Sequence, residues 1–318
     1  MGDTVTYTRH ASDTGVPADG RDEPAFADEF RLPDAGRQRD GLPPGWLARP
    51  AAGLPAGDGT ARVTPEGLVV APPGTDPATG EPRFAVPPPS APPGHLRWAA
   101  FAGTATPPGF TLPDTGLLTA HMELAAEVYG PAARTGTGRV PVPGTPAGAV
   151  AGAVAAATGA DRPTAAGIAD TRHGMGGMLC VDLESGLVLD FLLTNDRVWV
   201  LYERLGRPGA GHGTFTYEVP VAERSPGRRH RCAIRVDRAR GTAVWLLDGT
   251  EVFAVPDLGR RLPSRAAHLT RSADGPEESV RPGRLALGIG LFGELAEGSG
   301  VRLTVRRATV TRSAPGTS

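Results

Sequence analysis

Lysine is absent from this 318-residue chain: all 33 basic residues are Arg. A lysine Schiff base, and pyridoxal-phosphate chemistry with it, is thereby excluded. Cysteine is scarce. Cys180 and Cys232 are the only two, both in strand-like stretches, and they are expected to be buried free thiols. No CxxC, HExxH, Walker A or strand-then-GxGxxG pattern occurs, so neither a metal nor any other cofactor is expected. No apolar run approaches the roughly 18 residues of a membrane span, and no membrane partner is expected. A net charge of −1 argues against a nucleic-acid partner bound by phosphate neutralisation. The first 30 residues contain no apolar stretch of the signal-peptide kind, which leads us to expect a cytoplasmic location.

Gly (44) and Pro (33) are abundant. Twenty of the Pro residues precede residue 116, where long helices are excluded by the missing N–H donor and the clash with the preceding turn. Residues 1–25 read as a disordered tail and 26–312 as one β-sandwich domain. A Gly/Ala-rich loop is expected at 130–177, and a short tail at 313–318. In the Pro-rich part, Ala61–Thr64, Leu68–Ala71 and Leu96–Phe101 read as strands. Period-2 alternation follows at Gly116–Val128. It places Leu118, Ala120, Met122, Leu124, Ala126 and Val128 on one face, with Thr119, His121, Glu123 and Glu127 on the other. A helix is the competing reading there, because Ala, Met and Glu favour it. From Met178 onward short strands follow one another: MLCVDL, GLVLDFLL, RVWVLYER, TFTYEVPV, HRCAIRVD, TAVWLLD, TEVFAV, RLALGIGLF and VRLTVRRATV. Asp248-Gly249 suits a type I′ hairpin turn, since both residues tolerate positive φ. The fold class expected is all-β, an antiparallel jelly-roll sandwich.

One hairpin is informative about chemistry. A two-residue turn at Asn195-Asp196 pairs Leu193 with Val198, Phe191 with Val200, Leu189 with Tyr202 and Leu187 with Arg204. The opposite face pairs Leu192 with Trp199, Asp190 with Leu201 and Val188 with Glu203. Asp190 and Glu203 then become diagonal neighbours, with Cα atoms roughly 7–8 Å apart or less. Two close carboxyls can share a proton, and an indole can stack on a sugar or another flat ligand. Asp190 and Glu203 are therefore candidate catalytic groups and Trp199 a candidate binding group. The plainer alternative makes the acids exposed partners for Arg and Trp199 ordinary packing.

His121 and Glu123 share a strand face at a spacing that fits an acid–base pair; a lone surface His is the plainer reading. His173 and Met175 lie in RHGMGGM, a glycine-rich loop that would overhang a pocket. Tyr202 is a candidate binding hydroxyl, or a packing residue. His230, alternating with Cys232 and Ile234, is expected to face inward, and Trp98 and Trp245 are expected to anchor the core.

The stretch VDRARGTAVWLLDGTEVFAV, together with RLALGIGLF, VRLTVRRATV, AFADEF and GDGTARVTPEGLVV, resembles the concanavalin-A-like sandwich group of lectins, laminin-G-type modules and glucanases. ESGLVLDFLLTNDRVWVLYERL resembles, more closely, an actinobacterial family with a domain of unknown function. That resemblance implies the sandwich fold across most of 26–312 and no particular activity. The glucanases of the group carry an E-x-D-x-x-E strand. Asp182, Glu184 and Asp190 have the wrong spacing for it, so glucanase chemistry is not carried over. Three functions follow as expectations. One is a cofactor-free cyclase or isomerase of polyketide-like metabolism acting on a hydrophobic small molecule. The second is a carbohydrate-binding or glycoside-processing protein, and the third a non-catalytic interaction module.

Overall fold

The structure, a computed structural model, describes residues 22–32, 39–51, 53–86, 95–103, 108–130, 171–206, 211–293 and 298–314. These form two nine-stranded antiparallel sheets. The first runs in the order Thr250–Val255, Thr242–Leu247, His230–Asp237, Leu117–Tyr129, Gly300–Ser313, Gly67–Ala71, Thr60–Thr64 and Arg39–Asp40, with Asp22–Asp28 also paired to Gly300–Ser313. The second runs Leu269–Ala273, Thr214–Glu223, Arg197–Arg204, Leu187–Leu193, Met175–Asp182, Arg284–Phe292, Leu96–Ala102 and Trp46–Arg49, with Phe110–Thr111 also paired to Arg284–Phe292. The chain passes repeatedly from one sheet to the other, which makes this an antiparallel jelly-roll β-sandwich of the kind expected.

Alternation builds the core. Leu118, Ala120, Met122 and Leu124 of the first sheet face Leu187, Leu189, Phe191 and Leu193 of the second, all essentially inaccessible. The stretch at Gly116–Val128 is thus a strand and not a helix, as its period requires. Trp245 closes the middle of the sandwich, its ring 5.2 Å from Phe253 and 6.5 Å from Tyr202. Trp98 and Trp245 are both core residues, and Cys180 and Cys232 are buried and free. His230 faces inward and contacts the Asp248 carboxylate at 3.0 Å. Asp248 (φ 52°) and Gly249 (φ 88°) both adopt the left-handed conformation that the I′ turn needs. Arg97 and Asp58 form a fully buried ion pair at 2.8 Å, and Asp58 also accepts the Ala85 N–H.

Three boundaries differ from expectation. The strand Asp22–Asp28 begins inside the segment expected to be a tail, because it pairs with Ser313 to Ala308 of the closing strand. That partner strand runs to Ser313, the first residue of the expected C-terminal tail. The loop expected at 130–177 gives way to a strand already at Met175, where Gly176 and Gly177 pair on both sides despite lacking side chains. Residues 1–21, 131–170 and 315–318 of the expected tails and loop lie outside the described residues.

Candidate functional site

The hairpin Leu187–Arg204 has the register that its two-residue turn predicts, from Leu187↔Arg204 through Leu193↔Val198. The turn is held by the single Asn of the chain: Asn195 Nδ2 donates to the Val128 carbonyl and its Oδ1 accepts the Val128 N–H, both at 2.8 Å. One face of the hairpin enters the core. The other, with Val188, Asp190, Leu192, Trp199, Leu201 and Glu203, forms the outer face of the second sheet. This outer face is itself well covered. Val188, Leu192, Trp199 and Leu201 cluster there with Leu179, Met175, Phe292 and Ala99, and Trp199 is only 9% exposed.

Asp190 interrupts the sheet. Its strand pairs with Met175–Asp182 at Met178↔Phe191 and again at Val181↔Val188. Between these positions the Cys180 N–H donates to Asp190 Oδ1 at 3.0 Å. The Asp190 carbonyl instead accepts the Trp245 indole N–H from across the core, at 3.1 Å. A side-chain carboxyl thus takes a bond that the ladder would otherwise make. Burial pushes the Asp190 carboxyl well above the usual carboxylate range, against the Cys180 N–H, and nearby Glu203 adds to the rise.

Glu203 stands in a row across three strands, with Thr216 opposite it and Arg271 opposite Thr216. Thr216 Oγ1 donates to Glu203 Oε1 at 2.5 Å. Burial raises the Glu203 carboxyl too, but the Thr216 hydroxyl and the Arg271 charge oppose the rise. The same Arg271 charge adds to burial in lowering His95, whose ring lies 5.6 Å from that of Phe292, to about 4. Two residues beyond Thr216, Glu218 accepts hydroxyl bonds from Thr171 (2.9 Å) and Thr270 (3.3 Å).

The eight candidates separate. Asp190, Glu203 and Trp199 share the outer face of the second sheet, and Met175 joins its apolar cluster. His173, buried, belongs to a one-turn 3-10 helix, Thr171–His173. Thr171 donates to Glu218, three strands from the strand that Met175 begins. Tyr202 points the other way. It is fully buried in the core, its hydroxyl accepting the Gly259 N–H (2.8 Å) and donating to the Arg260 carbonyl (2.9 Å), so it offers nothing to a ligand on the outer face. His121 and Glu123 lie on the outer face of the other sheet, across the sandwich from Asp190. Burial and Arg307 lower the His121 imidazole, partly opposed by Glu123, and Glu123 contacts Arg229 at 3.7 Å. Reasoning from sequence missed Thr216, Glu218, Arg271 and His95. The alternation of TFTYEVPV does place Thr216 and Glu218 on one face, but Arg271 and His95 come from strands whose neighbours no local pattern specifies.

Among the described residues no group of three or more His, Cys, Asp and Glu could hold a metal ion, and no helix is long and apolar enough to cross a membrane. The chain is similar to several solved carbohydrate-active proteins. An endo-β-1,3-glucanase from Pyrococcus furiosus is 12% identical over 95% of this chain and 98% of that one, with a TM-score of 0.48. A Bacillus licheniformis β-glucanase is 10% identical over 92% and 98%, with a TM-score of 0.39. The polysaccharide lyase family-7 alginate lyase A1-II′ is 9% identical over 78% and 80%, with a TM-score of 0.40. No curated protein matches. A family model does match, over residues 24–137 and 131–314, and by that match the chain belongs to the family of unknown function DUF6081.

Proposed function

We propose that the outer face of the second sheet performs acid–base chemistry on a saccharide, with Asp190 as the acid and Glu203 as the carboxylate. The observation that carries this reading is a pair of carboxyl groups on neighbouring strands whose surroundings set their proton affinities apart. Asp190 receives one backbone N–H and is otherwise desolvated, so it holds its proton. Glu203 has the Thr216 hydroxyl and the Arg271 charge in its favour, which oppose the effect of burial and suit it to carry the negative charge. Such a split assigns the roles of acid and base. Glycoside hydrolysis uses two carboxyls about 5–9.5 Å apart, a range that a diagonal pair on adjacent strands spans. In the direct form of the reaction the acid protonates the departing oxygen as the C–O bond breaks. Water adds to the sugar carbon and gives its proton to the carboxylate. Trp199 packs on the same face as the two acids, its indole N–H donating to Thr194 Oγ1 at 3.1 Å. The arrangement differs from the glucanase strand, where the acids alternate along one strand; here they lie across two.

A second reading is favoured by the lining. Val188, Leu192, Leu201 and Phe292 surround the acids with apolar surface, which suits a cofactor-free cyclase or isomerase that orients an apolar small molecule. Incubation with a panel of neutral and acidic glycans, followed by reducing-end assay, tests the first reading. We expect release by the native protein and a loss of at least about 100-fold in both Asp190→Asn and Glu203→Gln. No release from any glycan, together with saturable thermal stabilisation by an apolar metabolite, would transfer the site to the second reading. Neither response would leave the face as packing surface and end both.

A further inference from the structure

A second site is built on the opposite side of the sandwich, around a β-bulge. The strand Gly300–Ser313 pairs Arg307 with Glu123 and then Val305 with Leu124, so Arg306 is an extra residue. A bulge of this kind turns two successive side chains toward one side. Val305 and Ala308 stay in the core while Arg306 and Arg307 are both exposed. On the adjoining strand the residue facing the bulge is Gly67 (φ 120°); a Cβ there would sit 2.3 Å from the Val305 carbonyl oxygen, so only glycine permits the approach. The far wall is a turn whose Phe30 is held at φ 45°, unusual for a bulky residue. Its backbone N–H donates to Asp28 Oδ1 and its ring packs 5.5 Å from Trp46. Together they enclose a cavity of about 300 Å³ that Arg31, Arg306 and Arg307 share with Glu29 and Glu123.

The charges in this cavity do not cancel. Arg31 is paired with Glu29 at 2.5 Å, and Glu123 is held by Arg229 at 3.7 Å. Neither Arg306 nor Arg307 has a carboxylate within ion-pair distance among the described residues. Two adjacent guanidinium forks over a concave floor match a tetrahedral oxyanion, whose oxygens accept N–H bonds in pairs. Strained backbone that persists at such a place is a pointer to function. We propose that this bulge cavity binds the phosphate or sulfate group of a small ligand through Arg306 and Arg307. The site is independent of Asp190 and Glu203.

The test is an NMR titration of the full chain with inorganic phosphate, and separately with inorganic sulfate, at constant ionic strength set by chloride. We expect saturable shifts at residues around the bulge and an affinity for at least one of the two anions that falls about tenfold or more in R306Q/R307Q. Each single variant, R306Q or R307Q, should fall part of the way; both positions are exposed, and unchanged melting would confirm an intact fold. R235Q, another exposed Arg on the same sheet face but outside the cavity, should bind as the native protein does. Shifts that never saturate with either anion, or an equal loss in R235Q, would overturn the proposal.

Discussion

Asp190 occupies a place where most strand residues bring an apolar side chain, and its carboxyl is pushed up by burial. The sign of the consequence follows from linkage. Below the ordinary carboxyl value of 3.8 the folded and unfolded chains both hold this proton, and Asp190 adds no pH dependence. Above it the unfolded chain releases the proton while the folded chain retains it, so Asp190 makes the fold progressively less stable as the pH rises. Glu203, raised in the same direction, acts with the same sign. Asp190→Asn keeps an oxygen for the Cys180 N–H and removes the titration. Its melting temperature relative to the native protein should therefore rise between pH 4 and pH 8 in differential scanning calorimetry. A difference that stays constant over that interval would refute the account. The location of Asp190 and Glu203 on one face was legible in the sequence, because a two-residue turn leaves one register. The Cys180 N–H bond and the Arg271 charge were not, since both come from strands outside the hairpin.

At the scale of elements, the hairpin Leu187–Arg204 is joined to the end of Leu117–Tyr129 by two side chains, Asn195 and Arg224. Asn195 satisfies both the N–H and the carbonyl of Val128, and Arg224, also buried, donates to the Thr194 and Ala126 carbonyls beside it. These bonds cross from one sheet to the other at an end of the sandwich. Asn195→Ala strands two partly buried backbone groups, each costing about 1–3 kcal/mol. Urea unfolding should show a loss of that order, with Asn195→Asp recovering at most the half that a carboxylate can accept. The turn itself was predicted from Asn195-Asp196, but not this use of the amide. Sequence separation hides it: Val128 and Asn195 are far apart in the chain. Short strands were the least legible elements. Trp46–Arg49, Phe110–Thr111 and Leu269–Ala273 form because a longer neighbour offers them an edge, and their own residues show no clear alternation.

For the molecule as a whole, the two sheets are coupled through Trp245. It belongs to the first sheet, yet its indole N–H holds the Asp190 carbonyl of the second. A substitution in the core should therefore reach the outer face. Trp245→Phe keeps most of the ring volume but leaves the Asp190 carbonyl without its donor, at a cost of about 1–3 kcal/mol. Whatever turnover the outer face supports should fall in Trp245→Phe, with a shifted alkaline limb of the pH–rate profile, the limb on which Asp190 gives up its proton. A stability loss with an unaltered profile would separate the core from the site. The burial of the outer face matters at this scale too. Sandwich faces that are not the core are commonly solvated in antiparallel sheets, whereas this one is apolar and covered, so its carboxyl groups lie in a medium of low dielectric.

By itself the sequence determined the period of each long strand, the turn at Asp248-Gly249, the register of the Asp190 hairpin, and the absence of any lysine chemistry. These are local properties, fixed by neighbours a few residues apart and by the composition. Tertiary structure alone decided which strands lie side by side, that Tyr202 faces the core while Glu203 beside it faces outward among Thr216 and Arg271, and that His121 and Glu123 lie on the opposite sheet. Pairing between distant strands depends on the shape of the whole core and on backbone bonds that any residue can make, so no short pattern records it.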